Sequence, residues 1–130
     1  MTKRNKIIYW IATLWLALGM LSTGAGQLLK ASAGQGGADM ITHLGYPLYI
    51  LSILGVWKVL GVAALLIPKY PLLKEWAYAG FFFLVSGAMV SHIASGDPVI
   101  DTAPALLLLL LTAASWYYRP ADRKIVLPLQ

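Results

Sequence analysis

Few groups in this 130-residue chain could do chemistry. The stretch "SHIASGDP" holds His92 and Asp97, five residues apart. A histidine beside a carboxylate can pass protons, or it can help to hold a metal. Ser91, Ser95 and Asp101 lie close by in the chain. Nothing has the spacing of a known metal motif, so no metal is expected. A blander role fits His92 as well: capping a helix end or bonding a neighbouring backbone group. Cysteine is absent, which removes disulfides, thiolate metal sites and a cysteine nucleophile. The remaining oddity is Lys58, alone in the apolar run "LGVWKVLGVAALLIP" from Leu54 to Pro68.

The elements that must position these groups follow from composition. Hydrophobic residues make up 59% of the chain and charged residues 12%, with a mean hydropathy of +0.72. A soluble domain is about 45–50% apolar and about 25% charged. The departure is in the membrane direction. A spanning helix needs about 20 mostly apolar residues, and four stretches meet or approach that, at about 7–29, 45–67, 72–94 and 100–118. Nothing alternates like the strands of a barrel, and lipid tolerates no unpaired backbone. The expected fold is therefore all-α. It is a single transmembrane domain over 1–130, with four transmembrane helices in an antiparallel bundle. Pro68 and Pro71 bracket a tight connection, and "SGDP" closes the third helix. The Gly-, Ala- and Ser-rich stretch from Lys30 to Pro47 reads as a flexible outer connection. Its "GQGG" lacks the Lys-Ser/Thr of a phosphate loop.

Basic residues then orient the bundle. Lys3, Arg4, Lys6, Lys69, Lys74, Arg119, Arg123 and Lys124 all fall on one side, while Asp39, Asp97 and Asp101 collect on the other. The positive-inside rule makes both termini cytoplasmic. The net charge of +5 is thus a topology signal and a contact for anionic lipid, and nucleic-acid binding is not expected. "MTKRNK" ahead of an apolar run also resembles a signal peptide, but that run is long for one and reads better as a signal anchor.

Depth can be counted along each helix at about 1.5 Å per residue. Lys58 then lies within about 3 Å of the bilayer midplane, His92 about 13 Å above it and Glu75 about 12 Å below it. Lys58 and His92 are not expected to meet. Glu75 is the expected partner, reached by a lysine stem that snorkels toward the cytoplasmic face. Such a pair either locks two helices or faces a ligand. His43, Thr23 and Gln27 are expected near the depth of His92. Trp57 and Trp15 lie deep enough to line a pocket. Trp10, Trp76, Tyr78, Trp116, Tyr117 and Tyr118 fall at the cytoplasmic interface. The small pairs Gly19/Thr23, Gly87/Ser91 and Ser91/Ser95 favour close packing, within the chain or against a second copy.

Four motifs occur in order: "HLGYPLYILSILGVWKVLG", "PLLKEWAYAGFFF", "SGAMVSHIASGD" and "SWYYRP". Together they strongly resemble the DoxX-like family of small bacterial membrane proteins. Tyr46, Pro47, Lys58, Gly61, Lys74, Glu75, Trp76, Tyr78, Gly80, His92, Gly96, Asp97, Arg119 and Pro120 carry the likeness. The resemblance implies a four-helix bundle in the bacterial inner membrane. It also implies a lipophilic or quinone-like ligand, or a role as membrane subunit beside a redox-enzyme partner. Lys58, Glu75, Trp57, Trp15 and Tyr46 are the ligand-binding candidates. Two alternatives stay open: an intramembrane isomerase or hydrolase using His92 and Asp97, and a structural scaffold.

Overall fold

A computed structural model describes residues 2–33, 43–47 and 49–123. Residues 34–42, which include Asp39 and much of the expected outer connection, lie outside the described residues. Among the described residues the chain is all-α. Helix α1 runs Lys3–Ala33, α2 Ile50–Leu66, α3 Pro71–Ala94 and α4 Ala103–Tyr117. A 3₁₀ turn at Val99–Thr102 leads into α4, and another follows it at Ala121–Arg123.

Among the described residues, three stretches are long and apolar enough to cross a bilayer: Lys3–Leu29, Pro71–Ala94 and Val99–Tyr117. Helix α2 is apolar but has only 17 residues. It is shorter than the expected 45–67 for a local reason. Gly45 adopts a left-handed φ of 87°, and Pro47 disfavours helical geometry at Tyr46. The helix begins only after that turn, with the Ile50 N–H donating to the Pro47 carbonyl at 3.2 Å. Helix α1 overshoots instead and takes in the start of the expected loop, where "LLKASA" is made of adequate helix formers.

The α2–α3 connection is "PKYP". Lys69 and Tyr70 both sit in the left-handed region, at φ 67° and 55°. Each such residue costs about 1–2 kcal/mol when it is not glycine. The prolines on either side hold the connection in place. Ile67 is extended before Pro68, and Pro71 occupies the first turn of α3, where no N–H is needed.

The helices neighbour one another in a ring. Helix α1 packs on α2 and α4, and α3 packs on the same two. Leu16 and Met20 of α1, Val62 and Leu65 of α2, Phe81 and Val85 of α3, and Leu111 of α4 fill the centre. In α1 the residues Tyr9, Thr13, Leu16 and Met20 are all fully buried, at spacings of four, three and four. That spacing puts them on one helix face. Helices α1 and α2 come closest at Gly24 and Gly55. A Cβ on Gly55 would stand 2.6 Å from Leu28 Cγ and 2.9 Å from the Gly24 carbonyl oxygen. Of the expected small-residue contacts, a Cβ on Gly19 would stand 3.0 Å from Leu108 of α4, whereas one on Gly87 would meet nothing within 4 Å.

Two buried polar clusters tie the ring together. In one, Ser115 Oγ lies 2.6 Å from Thr13 Oγ1 and 2.7 Å from the Tyr78 hydroxyl. This links α1, α3 and α4. Tyr78, expected at the interface, is only 4% exposed and belongs to the core. The second cluster closes the C-terminal end of α2. Lys74 Nζ donates to the carbonyls of Ala64 at 3.0 Å, Lys69 at 2.8 Å and Ile67. Arg123 Nη2 donates to the Leu65 and Leu66 carbonyls at 3.1 and 2.8 Å, and its Nε to the Tyr9 hydroxyl at 2.9 Å. The last carbonyls of a helix lack intrahelical partners, and cations suit that end of its dipole. Two residues that sequence marks as topology charges therefore also cap a helix.

A groove between two helices and its polar end

Helices α2 and α3 diverge enough to leave a groove of about 940 Å³. This is at the upper end of the usual range for small-molecule sites, about 300–1,000 Å³. Most of its wall is apolar, built from Leu54, Trp57, Leu60, Phe81, Phe83 and Leu84 among others. Gly80 leaves it open on α3, where an added Cβ would meet nothing within 4 Å, while Gly61 on α2 makes room for the Phe81 ring. Polar groups gather on one side: Lys58, Gln27, Tyr46, Ser91 and His92.

Lys58 is 6% exposed and is held by α1 rather than by α3. Its Nζ donates to Thr23 Oγ1 at 3.1 Å. Thr23 in turn donates to the Gly19 carbonyl at 2.9 Å, so its oxygen is left to accept from the lysine. The expected partner, Glu75, is elsewhere. Its Oε2 accepts from the indole N–H of Trp116 at 2.9 Å. Its Oε1 lies 2.8 Å from Arg119 Nε, an ion pair by distance although the N–H is not aligned on that oxygen. The pairing expectation failed because side chains on a helix lean toward its N-terminus. Lys58 leans toward the Tyr46 end of α2, away from the end capped by Lys74. Counting depth at Cα positions misses this lean.

The other candidates divide. Trp57 and Tyr46 line the groove, whereas Trp15 and Glu75 are not among its lining residues. Trp15 points outward from α1 and is 53% exposed. Tyr46 makes a 2.5 Å hydrogen bond with Ser91 Oγ. Ser91 donates to the Gly87 carbonyl at 2.8 Å, which makes Tyr46 the donor of that pair. Gln27, placed by sequence at about this depth, does line the groove, and its buried Oε1 has no hydrogen-bond partner.

His92 and Asp97 are brought together by the end of α3. The Gly96 N–H donates to the Ile93 carbonyl at 3.1 Å and the Asp97 N–H to the His92 carbonyl at 3.0 Å, with Gly96 at φ 77°. This is a Schellman turn, and it folds the fifth residue on back over the first. Asp97 Oδ2 thereby accepts from His92 Nδ1 at 2.8 Å, and Oδ1 from His43 Nε2 at 2.7 Å. Asp97 bridges a half-exposed histidine and one that lines the groove. Holding His92 by Nδ1 leaves Nε2 as the atom able to take or give a proton. No group of metal-ligating residues suits a metal among the described residues.

The hydrogen bonds from His43, then His92, hold the Asp97 carboxyl below its ordinary value of 3.8. A carboxylate with a depressed native pKa adds stability above the unfolded value, and that stability is lost as pH falls through the native one. The wild-type thermal midpoint in detergent should therefore drop on acidification below about pH 4. Asp97→Asn should start lower and follow a flatter curve. Parallel curves for the two proteins would contradict this role.

An all-α chain with several span-length apolar helices and a groove facing outward from its ring defines a membrane protein. The DoxX-like family matches residues 11–115, and the chain belongs to that family. No curated protein and no solved structure matches it.

Of the groove, sequence reading missed Phe83, Gly80 and Gly87 as lining residues. It also missed Thr13, Ser115 and Tyr78 as a buried cluster. The four–three–four spacing from Tyr9 to Met20 was the available signal for Thr13.

Proposed function

We propose that this chain binds a lipophilic or quinone-like molecule in the α2–α3 groove. In this reading it is one antiparallel four-span domain of the bacterial inner membrane with both termini cytoplasmic. It acts alone, as a homo-oligomer or as the membrane subunit of a redox enzyme. The observation that carries the reading is the groove itself, apolar along its walls with polar groups gathered on one side. Ligand sites are built in this way, with a largely apolar lining and a few polar groups that orient the ligand. Helix interfaces within bundles are common places for them.

Gly80 provides a clean test. It lines the groove, and a Cβ added there meets nothing within 4 Å. Gly80→Phe should fill the groove without disturbing the ring, and exchange of a mid-helix glycine carries no propensity cost. Binding of a short-chain quinone to the full chain in nanodiscs should weaken about tenfold or more, with the unfolding midpoint unchanged. Unaltered binding would rule the groove out.

A further inference from the structure

Among the described residues three long cations are buried, and they are not treated alike. Lys74 and Arg123 each meet several carbonyls at the end of α2. Lys58 meets one neutral hydroxyl. No described carboxylate lies within ion-pair distance of it; Glu75 pairs with Arg119 and Asp97 with the histidines. Asp39 and Asp122 lie outside the described side chains. An ammonium has three N–H donors. Two of those on Lys58 have no acceptor among the described residues, although the residue is only 6% exposed and lines an apolar groove. A charge removed from water without a counter-charge is among the costliest features a fold can carry.

The missing acceptor has a place to sit. Lys58 faces the groove, and Gln27 also lines it, with a buried amide oxygen that has no partner among the described residues. A half-turn of that amide exchanges its oxygen for N–H donors. The apolar walls continue from there past Trp57, Leu60 and Phe83. We propose that the ligand of this groove carries an anionic head, a carboxylate on a single apolar chain, whose charge is met by Lys58. This rests on the reading of the groove as a lipophile site. A bilayer phospholipid is a poorer fit, because its phosphate stays at the membrane surface. Lys58 is the ninth of the 17 residues of α2 and so lies at the helix centre. A free single-chain acid can be drawn to that depth.

Oleate and its neutral methyl ester separate the possibilities. Binding of each to the full chain in a neutral detergent is measured by native mass spectrometry. The wild type should bind oleate about tenfold or more tightly than methyl oleate, the usual advantage of a charge-assisted hydrogen bond. Lys58→Met should bring the ratio close to one while retaining methyl oleate, and Lys58→Arg should restore the preference. Equal binding of the two probes by the wild type overturns the anionic head and leaves the groove reading standing. So does a preference that survives in Lys58→Met. If neither probe binds the wild type, the single-chain acid is overturned alone; if Gly80→Phe leaves both probes and the short-chain quinone unaffected, the groove reading falls and this inference falls with it. The wild-type comparison decides the matter even if a variant fails to fold.

Discussion

Lys74→Met is expected to destabilise the protein by about 3 kcal/mol, read as a shift in equilibrium unfolding in mixed micelles. Methionine conserves most of the volume, so packing contributes little to that loss. What disappears is one cation that satisfies three carbonyls at the end of α2 and the left-handed turn beyond it. Lys74 is 1% exposed, so water is poorly placed to replace it. Hydrogen bonds to a charged group contribute about 1.5–3 kcal/mol each. Arg123 shares the same end of α2 and should recover part of the loss, which keeps the total near the value of one or two such bonds. A loss below about 1 kcal/mol would show that the cap is dispensable. Lys58→Met offers the opposite case. It removes a buried charge that has no counter-charge among the described residues, so its stability should hold or rise. Two lysines of similar burial are thus expected to respond with opposite signs.

Gly55→Val should cost about 2 kcal/mol by the same assay, the usual scale of overpacking. The added Cβ would stand 2.6 Å from Leu28 Cγ and 2.9 Å from the Gly24 carbonyl oxygen. The leucine can rotate away. The backbone oxygen cannot, so α1 and α2 must separate. Lys58 is one turn along from Gly55, and a Cβ on Gly24 would stand 3.0 Å from Lys58 Cβ. Separation should therefore also loosen the Lys58–Thr23 hydrogen bond. Gly80→Ala is the control: it meets nothing within 4 Å, and helix propensity alone should leave it neutral or slightly stabilising. Similar losses for the two glycines would mean that close approach at Gly55 is not what matters.

Much of the fold was legible because proline and glycine punctuate it. Pro68, Pro71 and "SGDP" end or begin helices where the sequence reading placed the breaks. The start of α2 was misjudged because apolarity continues through Gly45–Pro47 while the backbone turns there. Composition reports that a stretch suits lipid, but not where its hydrogen-bond ladder starts. The site was harder to read. Sequence counting places residues by depth, and depth correctly grouped His43, Gln27 and His92 near one end. It does not give azimuth or side-chain direction. Lys58 was therefore aimed at Glu75, and Trp15 was placed in a pocket although it faces outward. Tyr78 and Lys74 were set at the interface for the same reason, although both turn inward.

The shortness of α2 has a further consequence. Its 17 residues rise about 26 Å, against a hydrocarbon thickness of about 30 Å. Helix α1, with 31 residues, has no such deficit. A bilayer around unequal sides cannot match them all, and it deforms most cheaply by pinching inward beside the short one. That flank is also one wall of the groove. If α2 spans beside the other three, water is drawn down along it at the end where Tyr46 and His92 lie. The wetness of the polar end is then a property shared between the protein and the thickness of its host membrane. Thin bilayers relax the pinch, and thick ones deepen it.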